Sequence, residues 1–240
     1  LRAEIAEQAR VKGRRQALID ALFSKGELRL EYDAERTRNA AEAFAAREGN
    51  CLSLVIMTAA FARELELPIG YGKAVVDETW ARTSDMALLI GHVNLTLGPG
   101  SSVRNDGATT IDFLPPSEAR SLKTRPIPEA TVVGMYMNNR AVEALAAGRI
   151  DDAYWWAREA LVQAPELVLA YNTLGAIYVR RSLLHEAART FDHVLAVEPR
   201  NTLAMSNLIP VLTALGRVDE AQRLAERRVV GADWNAREHD

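Results

Sequence analysis

Three residues in the first half of the chain have the types needed for thiol chemistry: a cysteine, a histidine and an aspartate. Cys51 is the only cysteine of the 240 residues, and His92 is the only histidine before His185. A thiol nucleophile needs a base, usually histidine, and a third group that orients that base. Asp112 is the carboxylate expected to orient His92, and the predicted chemistry is acyl transfer. The ordinary alternative for His92 is a core histidine whose nitrogens are satisfied.

Asp112 is preferred to Asp106 because of where each lies. Two predicted strands enclose a loop, and a hairpin symmetric about Ser102 would place His92 directly opposite Asp112. Cross-strand neighbours have Cβ atoms about 5 Å apart, which allows an imidazole–carboxylate hydrogen bond. Asp106 belongs to an Asn-Asp-Gly turn signal, so we interpret it as a turn former. The ordinary alternative for Asp112 is a solvated strand residue.

A helix beginning at Cys51 is predicted to position the thiol. Asn50 is a good N-cap residue, and the apolar run 52–67 that follows is typical of a buried helix. Pro68 ends that run. The free N–H groups and the dipole of a helix start favour an anion at Cys51. The alternative is that Cys51 is simply a small buried apolar residue.

Helices and strands are predicted on both sides of this helix. Residues 1–25 have apolar residues at helical spacing, with Gly26 as a C-cap. A second helix, capped by Asp33, is predicted to end near Gly49. Alternating residues then predict strands over 71–76, 86–97 and 108–114, with 80–85 as a connection.

The second half of the chain repeats at a period of 34 residues. Prolines and charges predict a linker over 117–132, after a first domain over 1–116. Three copies occupy 133–233 and leave 234–240 as a tail. The matching columns are Gly148, Ser182 and Gly216, then Ala153, Ala187 and Ala221, then Pro165 and Pro199. This period and these residue types are the signature of tetratricopeptide repeats, each a helix–turn–helix. Pro210 is expected to kink a helix of the third copy.

Stacked repeats expose a concave groove, where a protein partner would bind. The side chains predicted to face the groove are Asn138, Asn172, Arg180 and Ser206. No lysine is predicted in the groove, so capture of a terminal carboxylate by paired cations is not favoured.

Composition excludes several classes of function. The formal net charge is −3, which gives no basic footprint for nucleic acid. No run of eighteen apolar residues is free of charge, so no membrane span is predicted. A single cysteine excludes an intramolecular disulfide and a multi-cysteine metal site. Neither a cofactor nor a metal is predicted.

A run of residues around Cys51 resembles the core of the transglutaminase-like superfamily. The residues that carry the resemblance are Ala41-Glu42-x-Phe44-x2-Arg47-x-Gly49-Asn50-Cys51-Leu52-Ser53-Leu54 and Ala62-Arg63-Glu64-Leu65-x-Leu67-Pro68. In that family a strand histidine and a strand aspartate follow, and His92-Val93-Asn94-Leu95 and Ile111-Asp112-Phe113 match them in order. The resemblance covers about residues 30–115. It implies a papain-like α+β domain in which the cysteine helix packs on an antiparallel sheet.

The resemblance implies a cysteine enzyme acting on peptide or glutamine amides, either a hydrolase or an amine transferase. Cys51 would attack the carbonyl, His92 would protonate the leaving amine, and Asp112 would hold the imidazole tautomer. The alternative function is a catalytically silent domain serving as a tetratricopeptide-repeat scaffold for protein partners. The resemblance to bacterial proteins with this domain pairing, together with the start at Leu1, favours the periplasm or cell envelope over the cytoplasm.

Overall fold

The computed structural model describes residues 9–23, 30–34, 36–75, 80–83, 86–89, 92–98, 107–113 and 123–237. They form two compact units. The first contains residues 1–77 and 91–132, and the second contains residues 78–90 and 133–240. Gly26, Ser102 and Asp106, which the sequence singled out, lie outside the described residues.

The first unit has three described helices that bury apolar faces. They are α1 (Arg14–Phe23), α2 (Ala40–Ala46) and α3 (Cys51–Glu64). α3 is buried along most of its length and begins at Cys51 with Asn50 as N-cap, as predicted. The N-cap of α2 is Asn39, which forms a capping box with Glu42, and not the predicted Asp33. The predicted cap was wrong because Asn39 combines a good capping side chain with a glutamate three residues later.

Eight strands are described along the chain. They are β1 (Glu31–Tyr32), β2 (Glu48–Gly49), β3 (Ile69–Val75), β4 (Trp80–Thr83), β5 (Met86–Leu89), β6 (Val93–Leu97), β7 (Thr109–Ile111) and β8 (Lys123–Ile127). β1 and β2 pair in parallel, and four strands form an antiparallel sheet in the order β7-β6-β3-β8. Val93, Leu95 and Leu97 of β6 are fully buried on one face, and α3 packs against this strand.

The segment 86–97, predicted as one strand, is divided between two sheets. β5 pairs with β4 as a separate antiparallel hairpin, whereas β6 pairs with β3 and β7. β4 itself occupies residues predicted as a connection. The alternation of side chains continues across both strands, so a period of two does not reveal where the hydrogen-bonding partner changes.

Part of the predicted linker, 117–132, is a strand. β8 pairs with β3 at the edge of the sheet, and Pro126 lies within it. Proline lacks an N–H donor, and an edge strand tolerates it because one side of that strand is unpaired. Four prolines therefore did not indicate a flexible segment here.

The second unit contains the predicted helical repeats. Its helices are α4 (Glu129–Ala146, whose first turn belongs to the first unit), α5 (Ile150–Gln163), α6 (Val168–Arg180), α7 (Leu184–Val197), α8 (Thr202–Ala214) and α9 (Val218–Arg237). Pro165 and Pro199 lie between repeats, and Ala153, Ala187 and Ala221 are buried, as expected for closely packed helix pairs. The repeat prediction is confirmed. α8 continues through Pro210, and α9 extends into the predicted tail.

The pair of helices α6 and α7 shows why one repeat column contains glycine. A Cβ atom on Gly175 would lie 2.5 Å and 2.6 Å from two ring carbons of Phe191. Phe191 is fully buried and belongs to the largest described apolar cluster of this unit. The aromatic ring therefore packs on the bare backbone of α6.

No helix in the described ranges is long and apolar enough to cross a membrane. The first unit combines helices with an antiparallel sheet, and its papain-like arrangement remains a prediction.

Candidate functional site

Cys51 is held in place by the hydrogen bonds that start α3. Asn50 Oδ1 accepts from the Ser53 backbone N–H at 2.9 Å and from the Ser53 hydroxyl at 2.8 Å. Asn50 Nδ2 donates to Thr37 Oγ1 at 2.9 Å. Cys51 itself is only 5% exposed. Both ends of the Asn50 amide are thus used, and the first residue of the helix has little freedom to move.

A buried arginine fixes the segment that precedes the helix. Its guanidinium donates from Nη1 to Asp33 Oδ2 at 2.6 Å and from Nη2 to Glu48 Oε1, while the Arg38 backbone N–H donates to Ser53 Oγ at 2.8 Å. A Cβ atom on Gly49 would lie 2.7 Å from Ser53 Cβ. The chain can therefore approach the start of α3 this closely only with glycine at that position.

His92 and Asp112 are joined by a carboxylate–imidazole contact. His92 Nε2 lies 2.8 Å from Asp112 Oδ1 and 2.9 Å from Oδ2. His92 is 6% exposed, directly before β6, and Asp112 directly follows β7. The contact was predicted, but the register was not. β6 and β7 pair Leu95 with Ile111, which continues to Asn94 opposite Asp112 and places His92 diagonally. Diagonal neighbours on one sheet face remain within reach of long side chains.

The imidazole also hydrogen-bonds the Cys51 side chain. Burial lowers the pKa of His92, but the hydrogen bonds and charges of Asp112 and Cys51 outweigh burial and raise it to about 9. The ring is therefore protonated at neutral pH. Because Nε2 contacts the carboxylate, Nδ1 is the nitrogen left to exchange a proton at Cys51. This arrangement can pair a thiolate with an imidazolium and supply a proton to a leaving group.

The histidine pKa gives a testable pH dependence. In NMR titrations, His92 should titrate near pH 9, and Asp112→Asn should lower the midpoint because burial remains while the carboxylate is lost. The folded-state pKa lies above the unfolded value. The stability linked to this proton is therefore complete below about pH 6.5 and is lost as the pH rises through about 9. The difference in unfolding free energy between wild type and Asp112→Asn should shrink over this range, and a constant difference would contradict the assignment.

One side chain at the thiol was missed by sequence reasoning. The Cys51 backbone N–H donates a hydrogen bond to the phenol oxygen of Tyr32. The parallel pairing of β1 with β2 aligns Tyr32 with Gly49, two residues before Cys51. Alternation around Tyr32 suggested only a short strand, and no local signal named its partner strand.

Two of the predicted groove residues have buried polar atoms without partners. Asn138 on α4 and Asn172 on α6 are 7% and 3% exposed. Asn138 Oδ1 and both polar side-chain atoms of Asn172 have no hydrogen-bond partner within the described part of the chain. The two asparagines are 34 residues apart, so they occupy the same position in successive repeats.

The other two predicted groove residues differ. Ser206, in the same repeat position, donates from its hydroxyl to Thr202 O at 2.7 Å and accepts from Arg228 Nη1 at 3.1 Å. Arg180 is exposed at the end of α6 and lines an open cavity of about 560 Å³ beside Asp151. Neither shares the unsatisfied, buried character of the asparagines.

Comparisons with known proteins found no matching family model and no matching curated protein. Matching solved structures include two crystal structures of MamA, a tetratricopeptide-repeat protein. The first has a TM-score of 0.42 and 15% identity, covering 45% of this chain and 63% of that chain. The second has a TM-score of 0.41 and 15% identity, covering 45% and 58%. The chain thus covers less than two thirds of either structure.

These findings correct the family predicted from the sequence. The resemblance to the transglutaminase-like superfamily is wrong, because the matches are to a repeat protein and no family model matches. The short motif that suggested it has a local explanation. Arg47 ends α2 in a left-handed conformation with φ of 58°, and Asn50 then caps α3. The motif therefore describes the end of one helix and the start of the next, and this can occur in any fold.

Proposed function

We propose that the chain is a partner-binding repeat protein whose second unit holds an extended polypeptide by its main chain. The observation that carries this proposal is the pair Asn138 and Asn172, buried with polar atoms that have no partner in the described residues. Leaving such a group unsatisfied costs about 1–3 kcal/mol. A chain that retains two of them one repeat apart is expected to use them for binding.

The chemistry of an asparagine amide suits a peptide main chain. Each peptide unit offers one N–H donor and one C=O acceptor, and the asparagine side chain offers the complementary acceptor and donor. Stacked repeats place equivalent positions along one face, so Asn138 and Asn172 can contact successive parts of one extended segment. In the free protein, water molecules can occupy these positions, and the peptide would displace them.

The test uses peptides selected from a random library for binding to the full chain. Asn172→Leu, which preserves side-chain volume, should weaken the selected peptides by about tenfold or more in calorimetry. The same change should raise the melting temperature, because an unsatisfied amide is replaced by an apolar group. Thr173→Val is the matched control, since the Thr173 hydroxyl already donates to Leu169 O at 3.1 Å.

Two results would contradict the proposal. If Asn172→Leu lowers stability, the amide has a structural partner and is not reserved for a ligand. If the variant is more stable but binds every selected peptide as wild type does, the amide does not contact the peptide. Failure to select any peptide would also count against main-chain capture.

A second candidate function is acyl transfer at Cys51, which the contacts of His92 with Asp112 and with Cys51 favour. The substrate would be a peptide or glutamine amide. This function concerns the first unit, and it is compatible with partner binding by the second. It depends on the local geometry of three side chains and on no family assignment.

The proposed reaction has two steps. The Cys51 thiolate attacks the amide carbonyl carbon, the C–N bond breaks, and the His92 imidazolium gives its proton to the leaving amine. The acyl group remains as a thioester on Sγ. Neutral His92 then takes a proton from water or an amine that attacks the thioester, which restores the thiolate and the imidazolium. Asp112 keeps Nε2 occupied throughout, so that Nδ1 serves the reacting atoms.

A further inference from the structure

Tyr32 lies where the oxygen of an acyl intermediate would be bound. When Cys51 Sγ attacks a carbonyl, the developing oxyanion needs donors close to the nucleophile, and the Cys51 backbone N–H at the start of α3 is one such donor. In the free protein this N–H donates to the Tyr32 phenol oxygen. The phenol therefore already occupies the hydrogen-bonding position that the substrate oxygen would take.

The local structure holds the tyrosine close to the thiol while leaving it room to move. β1 is only two residues long and is tied to β2 by backbone bonds from Glu31 N to Arg47 O at 2.9 Å and from Asp33 N to Gly49 O at 3.1 Å. The Tyr32 residue is 54% exposed. The backbone is thus anchored, and a small rotation of the side chain can release the Cys51 N–H.

We infer that Tyr32 is the second oxyanion donor of the Cys51 site, an inference that rests on the proposed acyl-transfer function. A phenol hydroxyl both accepts and donates. When the substrate oxygen takes the Cys51 N–H, the phenol moves aside and donates its own O–H to the same oxygen. Burial and the neighbouring Cys51 charge raise the pKa of Tyr32, so the group keeps its proton at neutral pH.

Two reagents separate an oxyanion donor from a residue that merely shields the thiol. p-Nitrophenyl acetate acylates through a tetrahedral oxyanion, whereas iodoacetamide alkylates by displacement at a saturated carbon and forms none. Because Cys51 is the only cysteine, mass spectrometry of the intact chain reports the modification rate of that residue with either reagent. The variants are Tyr32→Phe and, as matched control, Tyr71→Phe on β3.

The Tyr32→Phe variant should be acylated more slowly by on the order of 100-fold, while its alkylation rate stays within about twofold of wild type. Tyr71→Phe should leave both rates unchanged. Equal acylation of Tyr32→Phe and wild type would overturn the inference. A rise in both rates would also overturn it, because the phenol would then be a plug over the thiol. If p-nitrophenyl acetate acylates wild-type Cys51 no faster than the urea-unfolded chain, acyl transfer itself fails.

Discussion

Replacing His92 by alanine is expected to slow the acylation of Cys51 by p-nitrophenyl acetate on the order of 100-fold or more at neutral pH. The imidazolium that pairs with the thiolate and supplies the proton is lost in this variant. Cys51→Ala should abolish acylation altogether. Asp112→Asn should fall between wild type and His92→Ala, because the ring remains while its contact with the carboxylate is lost. Intact-mass spectrometry over time measures all three rates.

His185→Ala is the control for this series, since His185 is exposed on a repeat helix. It should match wild type. The order of damage carries the information: Cys51 first, His92 next and Asp112 last. A fully reactive Asp112→Asn variant would mean that the carboxylate contact at 2.8 Å contributes only to the fold. Circular dichroism of each variant should show an intact secondary structure.

The largest expected effect on stability comes from Phe191, which is fully buried between α6 and its neighbours. Phe191→Ala should destabilise the second unit by about 3–5 kcal/mol, since it removes a large apolar side chain and leaves a cavity. Urea unfolding of the full chain, followed by circular dichroism, measures this loss.

A second substitution distinguishes ring packing on glycine from a general packing effect. In the wild type, Gly175→Ala should be destabilising, because the new Cβ would lie 2.5 Å from the Phe191 ring. In the Phe191→Ala background the ring is absent, and the same change should stabilise by up to about 1 kcal/mol through helix propensity. An unchanged sign in the two backgrounds would contradict the predicted coupling.

The sequence predicted those parts of the site that depend on local chemistry. An asparagine before an apolar run is a capping signal that acts within one helical turn, so the position of Cys51 at the start of α3 could be predicted. Few candidates exist for the base, which singled out His92. The repeat period likewise put Asn138 and Asn172 in one column before any geometry was known.

The parts that the sequence did not predict depend on pairing between distant residues. The register of β6 with β7 differs from the symmetric hairpin by two residues, since a long loop does not fix a register. The contact of Tyr32 with Cys51 requires β1 to pair with β2 across an intervening helix. Ser206 shares a repeat column with Asn172, but Arg228 on α9 hydrogen-bonds it.

The most direct test of main-chain capture by the second unit is an N-methyl scan of a peptide selected for binding to the full chain. Each backbone N–H is replaced in turn by N–CH₃, and calorimetry measures the affinity for wild type and Asn172→Leu. One or two positions should lose at least about tenfold affinity for wild type, because Asn172 Oδ1 loses its donor. The same positions should show little further loss with Asn172→Leu. If N-methylation has equal effects on both proteins at every position, Asn172 does not hold the peptide main chain.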